Sequence, residues 1–374
     1  MKLKTIISTA FCICALLSFV TAAFAKGKGK AKKNDITVIA YYAGDAAHID
    51  AYPVEKLTHI IYSFTHLKGN KISVQNARDS ATIKHLVSLK ARNPKLKIIL
   101  SMGGWGGCGP CSEVFSTDAG RQEFAKSVLQ TSEYFGTNGI DLDWEYPAIS
   151  GFPGHRFVPE DKPNFTALLK ALRDALGKKY EISFAAGGFT TYLEQSIEWD
   201  KIAPLVDKVN LMTYDLVHGF SKITGHHTPL YSTPQQVESI DHAVKYLESI
   251  NFPKNKLVIG AAFYARIFDV DVDANNGLYQ PGHFDHGFDY NTYNKDSLEK
   301  AGFTFYWDNV AQAPYFYSPS KKQEITFDNK KSIALKTKYA IDNGLNGIMF
   351  WELGNDLTKD GLLDALDEAR RSDK

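Results

Sequence analysis

The chain has 374 residues, 44% of them hydrophobic, and a formal net charge of +1. Seven lysines and no acid fall within residues 1–33, so the rest of the chain is mildly acidic, which argues against nucleic acid as its partner. That remainder is large for one average domain but ordinary for a barrel of alternating strands and helices.

The chain opens with Lys2 and Lys4, runs through an apolar stretch at 5–20 and reaches Ala23-Phe24-Ala25. A basic segment, an apolar segment and a small-x-small site predict a secretory signal peptide over 1–25, cut after Ala25. The apolar stretch is too short to favour a membrane span, and no later run is long enough to be one. The mature chain is therefore expected in the periplasm or the medium, as a monomer with no membrane attachment. Cys12 and Cys14 lie in the leader, follow no convincing lipobox and leave with it. Residues 26–33, KGKGKAKK, can bury nothing and predict a solvated linker rather than a polyanion-binding tail.

Short β-branched or apolar runs then recur: ITVIAYY (36–42), LTHIIYSF (57–64), LKIILSM (96–102), GIDLDWE (139–145), YEISFAA (180–186), DKVNLMTYD (207–215), KLVIGAAFY (256–264) and NGIMFWE (346–352). Amphipathic stretches such as FAKSVLQTSEYFG, FTALLKALRDAL and VESIDHAVKYLESI separate them. Eight strand-like runs alternating with helices predict an α/β fold with a parallel sheet, and eight is the number that closes a (β/α)8 TIM barrel over 34–374. A doubly wound open sheet is the alternative. The interval before the last run is far longer than the others. Its segment 266–325 is rich in Tyr and Phe, with turn signals NNG and QPGH, and predicts a small α+β insertion between strands seven and eight. DVDVDANNG (269–277) lies there, but Ala274 and Gln280 stand where a calcium loop needs Gly and Glu, so no calcium site is expected.

After the leader only Cys108 and Cys111 remain, spaced Cys-x-x-Cys in GGWGGCGPCSEV. In an oxidising compartment two cysteines this close are expected to pair. A zinc site needs four ligands, and no second Cys-x-x-Cys or nearby His-x3-His completes one. A redox Cys-x-x-Cys works from a helix N-terminus in a thioredoxin-like unit, whereas this pair follows a barrel strand in a Gly-rich loop. A loop-stiffening disulfide is expected.

The fourth run reads Ile140-Asp141-Leu142-Asp143-Trp144-Glu145. Strand alternation sends Ile140, Leu142 and Trp144 to one face and all three carboxylates to the other. An acidic solvent face would be the bland explanation, but a parallel sheet is covered on both sides, so the acids must face the barrel interior. Three carboxylates there cannot all stay charged cheaply, and at least one is expected to hold its proton. A protonated carboxyl at the C-terminal end of a barrel strand is what a general acid requires.

NGIDLDWEYP resembles the signature of glycoside hydrolase family 18, the chitinases. Ser101-Met102-Gly103-Gly104-Trp105 resembles that family's Ser-x-Gly-Gly, and Met212-Thr213-Tyr214-Asp215 its Met-x-Tyr-Asp. Phe263-Tyr264-Ala265-Arg266 resembles the Phe-Tyr-Gly-Arg that opens its insertion, and Met349-Phe350-Trp351 its Met-x-Trp. Asn138 and Ala265 depart from the pattern, where Asp and Gly are usual, and neither carries the proton chemistry.

The resemblance implies a secreted chitinase that hydrolyses β-1,4 bonds of chitin or chitooligosaccharides with retention and without an enzyme nucleophile. Glu145 would protonate the glycosidic oxygen while the substrate's 2-acetamido carbonyl attacks the anomeric carbon. Asp143 would orient the acetamido group, Asp141 beneath it would share a proton, Tyr214 would donate to the acetamido oxygen, and Asp215 would contact the same sugar. Trp351 is expected to stack on that sugar, with Tyr41, Phe64, Met212 and Tyr264 around it. Trp105 and Tyr146 are expected on the leaving side, Gly103 and Gly104 among the substrate-binding residues, and Arg266 as a sugar hydrogen-bond donor. His226 and His227 are expected in structural or rim positions. No metal and no cofactor is expected. An endo-β-N-acetylglucosaminidase acting on glycans, and a non-catalytic chitin lectin, are the alternatives; lectin relatives usually lack the acid that Glu145 provides.

Overall fold

The computed structural model describes residues 36–372. The expected signal peptide (1–25) and Lys/Gly linker (26–33), with Cys12 and Cys14, lie outside the described residues. The strands, in chain order, are β1 (Thr37–Tyr42), β2 (His59–Lys68), β3 (Lys71–Ser73), β4 (Lys97–Gly103), β5 (Gly139–Asp143), β6 (Glu181–Gly187), β7 (Lys208–Met212) and β8 (Leu257–Ala262), then β9 (Tyr264–Val270), β10 (Gly282–Asp289), β11 (Thr304–Asp308), β12 (Ala313–Ser318), β13 (Gln323–Thr326) and β14 (Gly347–Trp351).

Eight of these pair in parallel in the order β1-β14-β8-β7-β6-β5-β4-β2, and β2 returns to β1, which closes the barrel. Short β3 pairs antiparallel on the far end of β2, so that strand runs on past the expected residue 64 into a hairpin. Two apolar layers result from the alternation of side chains. Ile39, Ile61, Ile99, Ala185, Val258 and Met349 fill the barrel interior. Their outward neighbours, among them Val38, Ile60, Ile98, Ile140, Ile182 and Ile348, pack against the surrounding helices. The helix Asp118–Phe135 illustrates how such helices are delimited: Thr117 caps it by accepting from the Gly120 amide, and Gly136 ends it at φ 74°, a left-handed turn open to glycine.

Between β8 and β14 stands a second, antiparallel sheet of five strands, ordered β10-β9-β13-β12-β11, with the helix Lys295–Lys300. It runs from Tyr264 to Thr326, slightly outside the expected 266–325. One face buries Ile267, Phe316, Ile325 and Phe327, the other Val270, Leu278, Tyr315 and Tyr317. An Ile223–Pro281 bridge and the bonds Thr224 N to Gln280 O (2.9 Å) and Gly282 N to Lys222 O (3.0 Å) tie this sheet to the loop after β7. No helix among the described residues is long and apolar enough to cross a membrane.

Candidate active site

Barrel register decides what surrounds each carboxylate. Asp141 on β5 lies level with Ser101 on β4 and Ser183 on β6. Ser101 donates to Asp141 Oδ2 at 2.9 Å and Ser183 to Oδ1 at 2.7 Å. The Tyr41 hydroxyl from β1 adds a bond to Oδ2 at 3.0 Å, and Asn210 Nδ2 from β7 one to Oδ1 at 3.1 Å. Both Asp141 oxygens are thus occupied, and the side chain has no exposed surface. Asp143, two residues on, is 4% exposed, and its Oδ1 has no hydrogen-bond partner. The strand ends there, and Glu145 follows at the lip of the barrel. Trp144 turns outward and packs on Phe115 and Phe165 at ring separations of 5.8 and 6.2 Å.

The backbone on the other side of Asp143 comes very close. Gly103 has φ 120°, and a Cβ there would sit 2.1 Å from the Asp143 carbonyl oxygen. The Gly104 amide donates to that same oxygen at 2.9 Å, and a Cβ on it would meet the Phe64 ring at 2.6 Å. Both glycines therefore act through the absence of a side chain.

Burial sets the protonation states. It lifts Glu145 to about 7, against a hydrogen bond from Tyr146 that lowers it and with the nearby Asp215 charge raising it further. Asp143 is held well above the usual carboxylate range by burial first, then by the charges of Glu145 and Asp141. Asp141 is also raised by burial, with its four donors pulling the other way. Burial and then the Asp143 charge push the Tyr214 phenol well above its ordinary value, so it remains a donor. Its hydroxyl has only the weak acceptor Met349 Sδ at 3.9 Å, which leaves it free for a ligand oxygen.

Around these groups the walls are aromatic. Trp351, at the end of β14, stacks on Phe64 with ring centroids 5.5 Å apart and planes 14° from parallel. Tyr41 approaches Trp351 from below, with ring centroids 6.0 Å apart and planes at 50°. It is 1% exposed and its hydroxyl is used on Asp141, which places it beneath the floor. Met212 is nearly as deep. Arg266 and Tyr264 both meet Asp215. The guanidinium makes two bonds to Asp215, Nε to Oδ1 and NH2 to Oδ2, each 2.5 Å, and the Tyr264 hydroxyl donates to Oδ1 at 2.7 Å. Against burial, the nearby His227 and then the Arg266 guanidinium hold Asp215 far below the usual carboxylate range, so it is an anion. His226 and His227 are both fully buried, away from any rim. His226 Nε2 lies 3.1 Å from Asp308 of the second sheet.

On the opposite side Tyr146 packs edge-on against Phe189 and Tyr192, each at 5.4 Å. Trp105 is 49% exposed and meets Phe152 at 5.5 Å and Phe220 at 6.4 Å; Phe220 is itself 60% exposed. Sequence reasoning missed Ser183, Asn210, Phe152 and Phe220. The first two carried a readable signal, polar residues at inward positions of strands flanking β5. The two phenylalanines lie in loops, where no periodicity marks them.

Cys108 and Cys111 form a disulfide, and both are buried. Buried sulfurs have no accessible thiolate to exchange, which removes the redox reading. The bridge leads into the short helix Cys111–Val114, whose Ser112 donates to Asp161 at 2.8 Å and so joins this loop to the one after β5. A loop this small contributes about 2 kcal/mol at most, with strain subtracting from that. The double variant Cys108→Ser, Cys111→Ser should therefore fold and keep activity within about twofold, with Tm lower by several degrees. Thiol titration of the denatured, unreduced protein should find none from this pair; two would remove the bridge.

The family profile of the glycosyl hydrolases of family 18 matches residues 37–356. Chitinase A1 of Niallia circulans is 33% identical over 92% of this chain, which corresponds to 60% of that relative's length. Among solved structures, a family 18 N-acetylglucosaminidase from Paenibacillus barengoltzii superposes with a TM-score of 0.81 at 36% identity, covering 89% of this chain and 99% of the other. A chitinase from Bacillus thuringiensis gives 0.82 at 26% identity, over 91% of this chain and 70% of its own.

Proposed function

The chain belongs to the glycosyl hydrolases of family 18, and from that premise we propose that it is a secreted, monomeric chitinase that cleaves β-1,4 bonds between N-acetylglucosamine units by substrate-assisted catalysis. One observation carries the mechanism. Asp141 has both oxygens taken by protein donors, and burial holds the Asp143 carboxyl well above the usual range, so neither is a free carboxylate suited to attack an anomeric carbon. The nucleophile must then come with the substrate, and the carbonyl oxygen of an acetamido group on the neighbouring carbon can serve, closing a five-membered ring.

Glu145 donates its proton to the glycosidic oxygen as that bond breaks. Protonated Asp143 and the Tyr214 hydroxyl donate to the acetamido group and hold its carbonyl oxygen against the anomeric carbon, which replaces a bimolecular attack by an intramolecular one. An oxazolinium ion forms. Water opens it on the face the leaving sugar occupied, with Glu145, now ionised, taking the water's proton. Trp351 offers a flat indole for the apolar face of the cleaved sugar, and Trp105 with Tyr146 lines the path of the leaving chain. The second sheet, beginning with Tyr264 and Arg266, forms one wall of the cleft.

The name of the Paenibacillus relative favours a second reading, stepwise release of single N-acetylglucosamine units. Digestion of the N-acetylglucosamine hexamer separates the two: early dimers and trimers support the chitinase, and monomer with pentamer alone supports the second. The rate of either should fall as pH rises through about 7, because Glu145 must carry a proton and its raised value marks where it loses it. An inert hexamer, or a rate undiminished well above that pH, would remove the assignment.

A further inference from the structure

Asp215 occupies an unusual place. It stands at φ 55°, a left-handed conformation uncommon outside glycine, in the loop that follows β7. Arg266 and Tyr264, both on β9, grip its carboxylate from the second sheet. A third group faces it from its own loop. His227 lies with Nδ1 3.6 Å from Asp215 Oδ1 and with its ring 5.2 Å from that of Tyr264. Backbone bonds fix that ring's approach: the Leu216 amide donates to the His227 carbonyl at 3.0 Å, and the His227 amide to Thr326 Oγ1 at 3.0 Å.

The imidazole is fully buried, yet neither ring nitrogen has a hydrogen-bond partner within the protein. An apolar residue would avoid that desolvation cost, so the contact with Asp215 is what distinguishes an imidazole at this place. We propose that His227 is a positioning residue, which by donating from Nδ1 completes with Arg266 and Tyr264 a three-sided clamp on Asp215, and so keeps that carboxylate aimed at Glu145. This rests on the acid role read for Glu145 above. The separation is slightly beyond hydrogen-bond length, and such contacts commonly close when substrate binds.

The charged and titratable groups around His227 are Asp215 from the loop after β7, Tyr264 and Arg266 from β9, and Asp328 from the segment after β13. Burial lowers the imidazole's affinity for a proton against the pull of the carboxylates, and Arg266 opposes charging too. A neutral ring donates without cancelling the Asp215 charge. That charge is one of the causes that hold Glu145 protonated. Without the Nδ1 donor, Asp215 is free to settle onto Arg266, and its field at Glu145 weakens.

Three substitutions test this. Asn places an amide nitrogen where Nδ1 stands, Gln places one nearer the Nε2 position, and Leu supplies none. With the chitin hexamer as substrate, His227→Asn should stay within about twofold of the parent, whereas His227→Gln and His227→Leu should lose about tenfold in kcat with KM little changed. In the latter two the basic limb of the pH–rate profile should also move to lower pH. If the Leu variant does not fold, the Asn and Gln pair still decides. Equal kcat and an equal basic limb in those two would overturn the proposal. A parent enzyme that leaves the hexamer intact would instead defeat the functional reading itself.

Discussion

Glu145→Gln should lower kcat on N-acetylglucosamine oligomers by about three decades or more, or about 4 kcal/mol in the barrier, while oligomer affinity stays within a few fold. Gln has nearly the same shape, so the Phe64–Trp351 wall and the packing around Tyr146 have no reason to change. What it lacks is a proton to give. No neighbour replaces it, because Asp143 is lower in the barrel with its carboxyl held well above the usual range by burial, and Asp215 is an anion clamped by Arg266. The check is single-turnover cleavage beside calorimetric binding of the same oligomer. A variant that keeps even a tenth of the parental rate would mean the acid lies elsewhere.

A fully deacetylated oligomer should not be cleaved, with a loss of at least about five decades relative to the acetylated one, since effective molarities of well-placed intramolecular groups are that large. Stacking on Trp351 remains available to glucosamine, so binding can persist while cleavage stops. In partly acetylated chitosan every broken bond should carry an acetylated sugar on its non-reducing side. The new reducing end should appear first as the β anomer, because two displacements at one carbon restore its configuration. Product sequencing and proton NMR read both. Glucosamine at new reducing ends, or an α anomer formed first, would require an enzyme nucleophile, and then Asp143 would have to be ionised.

Much of this was legible in the chain alone, because it depends on local periodicity. Alternation along Ile140–Glu145 is a property of any strand, and it put the carboxylates on one face before any partner strand was known. Eight apolar runs separated by amphipathic helices pointed to a parallel sheet covered on both faces, and their number favoured a barrel over an open sheet. The Cys108–Cys111 pairing followed from four adjacent positions. The strand limits were less legible. The fourth strand stops at Asp143 and the second runs to Lys68, because the ends depend on which neighbour offers hydrogen bonds.

What only the tertiary structure decided is which donor meets which acid. Asn210 and Tyr41, 169 positions apart, touch beneath Asp141 because β1 and β7 face one another across a closed barrel. No periodicity within either segment carries that information. The same holds for Arg266 and Tyr264, whose bonds to Asp215 no pattern in the sequence announces. Their targets depend on how β9 leaves the barrel and on a left-handed residue in the loop after β7. The sequence by itself therefore determined the carboxylates, the face they occupy and the barrel around them. Closure of the barrel and the loop conformations determined which of them keeps a proton, because proton affinity depends on burial and on charges brought close by residues remote in the chain.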